Sequence, residues 1–173
     1  MIKLKTFGSF TVGNGLTSVQ EGAWRSEKLE KLFVYLAMNR NRGVCIEDIS
    51  EAIWQVEEET DNPVGALKNL AYRLRKALRD ASFGEECIVS VRGGLYKWND
   101  DVEVTIDVEE FDRYINEAEM AFCRSKETAI ESYEKAIALY HGDFLPLRTD
   151  THWFMTLNAF YHVSYTHLRA HET

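Results

Sequence analysis

Between Asn62 and Trp98 the chain reads NPVGALKNLAYRLRKALRDASFGEECIVSVRGGLYKW, and this stretch restricts the fold more than any other. At 100° per residue, Leu67, Leu70, Ala71, Leu74 and Leu78 fall on one side of a helix, while Lys68, Asn69, Tyr72 and Lys76 point largely away from it. One face must pack and the other is free to meet a ligand. From Lys68 to Arg79 the helix carries Lys68, Arg73, Arg75, Lys76 and Arg79 with no acidic residue, a local concentration that suits a polyanion. In isolation a basic run is explained as well by a solvated face. Here it is followed by strand formers, Ile88, Val89, Val91, Tyr96 and Trp98, bent at Arg92-Gly93-Gly94, which is a hairpin pattern. A hairpin beside a helix in the major groove can bring Arg92 to the minor groove or to phosphates.

The overall charge of -8 seems at odds with a polyanionic partner, so its distribution matters. Residues 1–99 hold 14 Lys+Arg against 13 Asp+Glu, and residues 100–173 hold 6 against 15. The acidity belongs to the second half, and phosphate contacts depend on local charge. With 173 residues, 45% of them hydrophobic, the chain can form one medium domain or two small ones. It has no run of about 18 apolar residues. It opens on Met1-Ile2-Lys3-Leu4-Lys5, which leads into an alternating strand and not a signal peptide, so no membrane association and a cytoplasmic location are expected.

Along the chain, Ile2, Leu4, Phe7, Phe10 and Val12 alternate with polar or small residues, and Gly13-Asn14-Gly15 turns the chain toward Leu16 to Val19. A small N-terminal antiparallel sheet is expected. Ser26 is placed to cap a helix carrying Leu29, Leu32, Phe33, Tyr35, Leu36 and Met38 at helical spacing, ending near Asn39 to Arg42. Gly43-Val44-Cys45 reads as an extended link, and Ile46 to Trp54 as a shorter helix with Ile46, Ile49, Ile53 and Trp54 inward. The acidic run Glu57 to Glu59 reads as a solvated loop, and Asn62-Pro63 starts the basic helix where proline needs no donor. A further loop surrounds Phe83 and Gly84.

Helix, helix, basic helix and hairpin, after a sheet, is the order of a winged helix-turn-helix. The chain resembles the bacterial activators of the Streptomyces antibiotic regulatory protein type, in which an OmpR/PhoB-like winged helix precedes a helical bacterial transcriptional activation domain. The resemblance rests on Trp24-Arg25-Ser26-Glu27-Lys28, Ile53-Trp54, Ala66-Leu67-Lys68-Asn69-Leu70, Tyr72-Arg73-Leu74-Arg75-Lys76 and Val91-Arg92-Gly93-Gly94-Leu95-Tyr96. It continues through Asp107-Val108-Glu109-Glu110-Phe111, the helix Ala129 to Tyr140, Gly142-Asp143-Phe144-Leu145-Pro146 and a helix beginning at His152-Trp153, covering about residues 1–162. It implies an α+β fold. A winged-helix DNA-binding domain with an N-terminal antiparallel sheet and a C-terminal hairpin wing occupies residues 1–99, and a partial, all-α, tetratricopeptide-like domain occupies residues 100–162. The stripe Ile130, Tyr133, Ile137 and Tyr140 is expected to be core, as in stacked helix pairs.

Residues 163–173, VSYTHLRAHET, resemble the in-frame translation of a transposase sequencing adapter; the alternative is a natural polar helix end. On the first reading the activation domain is truncated, the gene continues past about His162, and an apolar helical face is left uncovered.

Direct readout of bases requires long polar side chains on the exposed face of the third helix, which nominates Lys68, Asn69, Tyr72 and Lys76. Arg73 and Arg75 lie nearer the flanks and suit phosphates, as does Arg79. By the resemblance, Ser90 and Arg92 occupy wing positions that approach the DNA backbone or minor groove. The expected partner is double-stranded DNA, with RNA polymerase and a second copy on DNA as protein partners, and the expected role is transcriptional activation. A protein-interaction module of the same fold that has lost DNA binding is the alternative, supported by the weak positive balance of the first half. The carboxylates at Glu57 to Glu59 and Glu109-Glu110 have no accompanying nucleophile-base pair or phosphate-binding glycine loop, so no enzyme, catalytic residue or cofactor is expected. Cys45, Cys87 and Cys123 lack paired spacing and are expected as reduced, buried thiols. His141, His152 and His162 are expected as structural or surface residues, with no metal site.

Overall fold

The computed structural model describes residues 1–55, 61–83 and 86–171, so the acidic run Glu57 to Glu59 and Gly84 lie outside the described residues. Three short strands, β1 (Ile2–Lys5), β2 (Thr11–Gly13) and β3 (Ser18–Gln20), form an antiparallel meander, with Ile2, Leu4, Val12 and Val19 turned inward. Asn14 makes the turn: its Oδ1 accepts from the amides of Leu16 and Thr17 at 3.0 and 2.9 Å. Three helices follow, α1 (Glu27–Met38), α2 (Ile46–Ile53) and α3 (Pro63–Asp80), then the hairpin β4 (Ile88–Val91) and β5 (Leu95–Trp98).

The sheet does not end with the meander. Strand β6 (Val104–Ile106) returns after the hairpin and pairs with β1 in parallel, Ile2 opposite Val104 and Leu4 opposite Ile106, giving the order β3-β2-β1-β6. The expected antiparallel sheet is therefore mixed. The cause is connectivity: β1 is the open edge of the meander, and β6 reaches it through a long crossover made of α1, α2, α3 and the hairpin.

The second half is helical: α4 (Asp107–Ala121), α5 (Lys126–Leu139), a 3-10 turn at Pro146–Arg148 and α6 (His152–His171). It is docked on the first half through one continuous apolar core. Phe7, beyond β1, meets Phe111 of α4 edge-on at 5.4 Å and Tyr161 of α6 at 5.6 Å between ring centroids. The backbone joins them too, since Gly8 N donates to Asp143 O at 2.9 Å and Leu145 N to Thr6 O at 2.9 Å. Asp107 is the polar strap of this junction. Its buried carboxylate accepts from Thr6 N at 2.8 Å, Thr6 Oγ1 at 2.6 Å, Phe7 N at 2.9 Å and Val108 N at 2.9 Å. Burial pushes its pKa up while these four donors pull it back, leaving it above the usual aspartate value.

Helix α1 lies between the two halves, which explains why it is buried nearly all round. Leu32, Phe33 and Leu36 pack inward, but so do Glu30 and Lys31, each almost fully enclosed. Glu30 is met by Arg148, whose Nε and Nη2 donate to its Oε2 at 2.8 and 2.5 Å, and by Gly22 N at 2.8 Å. Lys31 pairs with Asp150, which also accepts from Gln55 at 3.1 Å. On the opposite end of α1, Arg40 forms a bidentate pair with Glu109, both contacts 2.6 Å.

Two sequence expectations fail in the helical half. The inward face of α5 consists of Ala129, Ser132 and Ala136, while Ile130 is 55% exposed and Tyr133, Ile137 and Tyr140 are only half buried. Small side chains let α4 and α5 approach closely, so the large apolar stripe is rotated off the contact. The second concerns cysteine: Cys87 is buried and Cys45 half buried, but Cys123 is exposed, because it lies past the last residue of α4 in a turn. No helix among the described residues is long and apolar enough to cross a membrane.

Candidate nucleic-acid interface

Asn62 caps α3 by accepting from Gly65 N at 3.0 Å, and Pro63 occupies the first turn. Leu67, Leu70, Ala71, Leu74 and Leu78 are buried against α1 and α2; each fully buried leucine is worth roughly 1.5–3 kcal/mol, so this face fixes the rotation of the helix. At its end, Thr17 Oγ1 donates to Ala81 O at 2.8 Å and ties the helix to the meander. Rotation and axis are thus set from both ends.

The opposite face presents Lys68, Asn69, Tyr72, Arg73, Lys76 and Arg79 to solvent, with Tyr72 60% exposed. An exposed tyrosine among long polar side chains adds a contact surface for bases or sugars. Val64, 45% exposed on the first turn, belongs to the same surface and is not among the residues that the sequence pattern nominates; its place just outside the packing stripe is the available signal. Asp80 closes the exposed face with a negative charge.

The wing is held beside α3 from three sides. Val44 forms a bridge to Tyr96, with N to O distances of 2.7 and 3.0 Å, so the extended link before α2 acts as a third strand next to β5. Gly43 fits closely there: a Cβ would lie 3.0 Å from Leu95 Cδ1 and 3.3 Å from Val91 Cγ2, so those side chains would have to give by a few tenths of an ångström. Trp98 is buried, edge-on to Phe33 at 5.3 Å, and donates from Nε1 to Val102 O at 2.8 Å. From α3 comes Arg75: its Nε lies 3.2 Å from Ile88 O and 3.1 Å from Glu86 Oε1, and its Nη2 donates to Ser90 Oγ at 3.4 Å.

At the tip, Gly93 and Gly94 both have positive φ, 83° and 73°, which lets the chain reverse in three residues and leaves Arg92 exposed. The nominated residues therefore fall into two groups. Lys68, Asn69, Tyr72, Arg73, Lys76, Arg79 and Arg92 face solvent, whereas Arg75 and the exposed Ser90 bond each other across the helix-wing junction. Lys97 on β5 is held at 2.7 Å by Asp100. Among the described residues no three His, Cys, Asp or Glu side chains gather into a metal-binding group.

Residues 21–98, from just before α1 to the end of β5, match the family described as "Transcriptional regulatory protein, C terminal". This is a DNA-binding domain family and not an enzyme family. No curated protein matches the sequence. A solved structure of Mycobacterium tuberculosis EmbR, in complex with a low affinity phosphopeptide, superimposes with a TM-score of 0.78 at 18% identity, over 99% of this chain and 44% of that one. The likeness extends through α6, so both halves and their arrangement follow one shared fold, and the chain spans less than half the length of the EmbR chain.

Proposed function

We propose, on the premise that residues 21–98 are an OmpR/PhoB-type winged helix of the transcriptional regulatory protein C-terminal family, that the chain binds promoter DNA and activates transcription. The observation carrying this reading is the exposed polar face of α3 standing beside an exposed Arg92 at the tip of an anchored hairpin. Helix α3 enters the major groove, where Lys68 and Lys76 reach guanine, Asn69 reaches adenine and Tyr72 packs on sugar or base edges. Arg73 and Arg79 meet phosphates on the groove walls, and Arg92 meets the backbone or minor groove. The cell interior is where this chemistry operates.

Residues 100–162 are a partial tetratricopeptide-like activation domain that contacts RNA polymerase or a second copy of the chain. The close α4-α5 pairing through Ala129, Ser132 and Ala136, followed by α6, supports that reading. Mobility-shift assays with genomic fragments test the DNA claim. Wild type shifts them, and changing Lys68, Lys76 and Arg92 together to alanine weakens binding and flattens its salt dependence by about one unit of slope for each phosphate no longer neutralised. Unaltered affinity and slope would refute the assignment of the face.

A further inference from the structure

Arg75 sits on the basic helix among side chains proposed to touch DNA, yet its surroundings differ from theirs. Its side chain is 24% exposed, and its guanidinium reaches across to the hairpin: to Ile88 O at 3.2 Å, Glu86 Oε1 at 3.1 Å and Ser90 Oγ at 3.4 Å. These partners lie on β4 and just before it, on the strand that leads to Arg92. We infer that Arg75 is a positioning residue that sets the angle between the reading helix and the wing, and that Arg92 reaches DNA through it.

The chemistry favours arginine for this work. A planar fork can hold a carbonyl, a carboxylate and a hydroxyl on one strand at once, whereas an ammonium is a single point charge on a flexible stem. A phosphate contact makes the opposite demand, since lysine neutralises a phosphate about as well as arginine does. The two roles are therefore separable by substitution. Ser90, which accepts from Arg75, acts in the same link.

This inference rests on the DNA-reading role of α3 for one arm of its test and not for the other. In the arm without DNA, amide hydrogen exchange is measured on the full chain for wild type, Arg75→Ala and Arg75→Lys. Both variants are expected to exchange roughly tenfold faster across residues 88–98, with α1 unchanged. Unchanged exchange in the hairpin overturns the inference whether or not the protein binds DNA.

In the DNA arm, binding to a random-sequence duplex is measured across a salt series, each variant alone and combined with Arg92→Ala. Arg75→Lys and Arg75→Ala should lose affinity alike, by about tenfold, with the salt slope of Arg92→Ala, and neither should cost anything further once Arg92 is gone. Retained affinity in Arg75→Lys, a slope about one unit shallower in the double variant with Arg92→Ala than in Arg92→Ala alone, or additivity with Arg92→Ala would make Arg75 a phosphate ligand instead. A wild-type chain that binds no duplex removes the reading of α3 and leaves the exchange arm to decide Arg75.

Discussion

Replacing Arg148 by methionine should destabilise the junction between the two halves. Arg148 comes from the 3-10 turn before α6 and donates twice to Glu30 Oε2, at 2.8 and 2.5 Å, and Glu30 is only 1% exposed. Among the described residues, that carboxylate in Arg148→Met keeps one protein donor, Gly22 N at 2.8 Å, and no bonded cation. Stranding a buried charge in this way costs about 3–5 kcal/mol, a large share of the roughly 5–15 kcal/mol that holds a typical domain together. Adding Glu30→Leu removes the stranded charge and leaves only the Gly22 amide unmet, a cost of about 1–3 kcal/mol. The double variant is thus expected to be more stable than Arg148→Met alone. Urea unfolding followed by tryptophan fluorescence measures this, because Trp153 of α6 lies edge-on to Tyr35 of α1 at 4.9 Å and reports the junction directly. A cost below about 1 kcal/mol for Arg148→Met, the value of an exposed ion pair, would refute the argument that Glu30 and Arg148 form a desolvated clamp.

Three further outcomes concern the same junction. Gly142→Ala should destabilise the chain, because a Cβ there would lie 2.9 Å from Gly8 Cα on a backbone with φ +147°; an unchanged melting temperature would contradict the close approach. At Asp150, burial works upward but the Lys31 ammonium and Gln55 outweigh it and hold the carboxyl below its ordinary value, so its contribution is present above about pH 4 and lost as pH falls through the folded value. Asp150→Asn should consequently cost more stability at pH 7 than at pH 3, as read by urea melts at the two values. Carboxyl-carbon NMR should find Asp107, raised by burial, titrating at a higher pH than Asp150, and the reverse order would mean that Asp107 is solvated.

What the sequence made legible is what local rules govern. Ser26 and Asn62 cap their helices, Pro63 starts α3, and the period of Leu67, Leu70, Leu74 and Leu78 gives its packing face, because caps and periodicity act within a few residues. The solvent-exposed face of α3 followed from the same period. Non-local pairing stayed hidden: nothing in Val104-Thr105-Ile106 indicates that it joins β1 in parallel, and no local rule buries Glu30 and Lys31, whose partners are 118 and 119 residues away. The stripe at Ile130, Tyr133 and Ile137 misled for a related reason. Apolar size implied the contact, whereas the contact is made by alanine and serine where two helices approach closely. Arg75 is legible as a cation and not as a clamp, since its partners lie on the far side of the loop before β4.

On the proposed function, DNA meets the exposed face of α3 and the tip of the wing while the helical half stays clear. Titrating the labelled full chain with a duplex containing its promoter site, and mapping backbone amide shifts by NMR, tests this in one measurement. Perturbation is expected to concentrate at Lys68 to Arg79 and around Arg92, with α4 and α5 unmoved. Perturbation centred on α4 and α5 with α3 silent would contradict it.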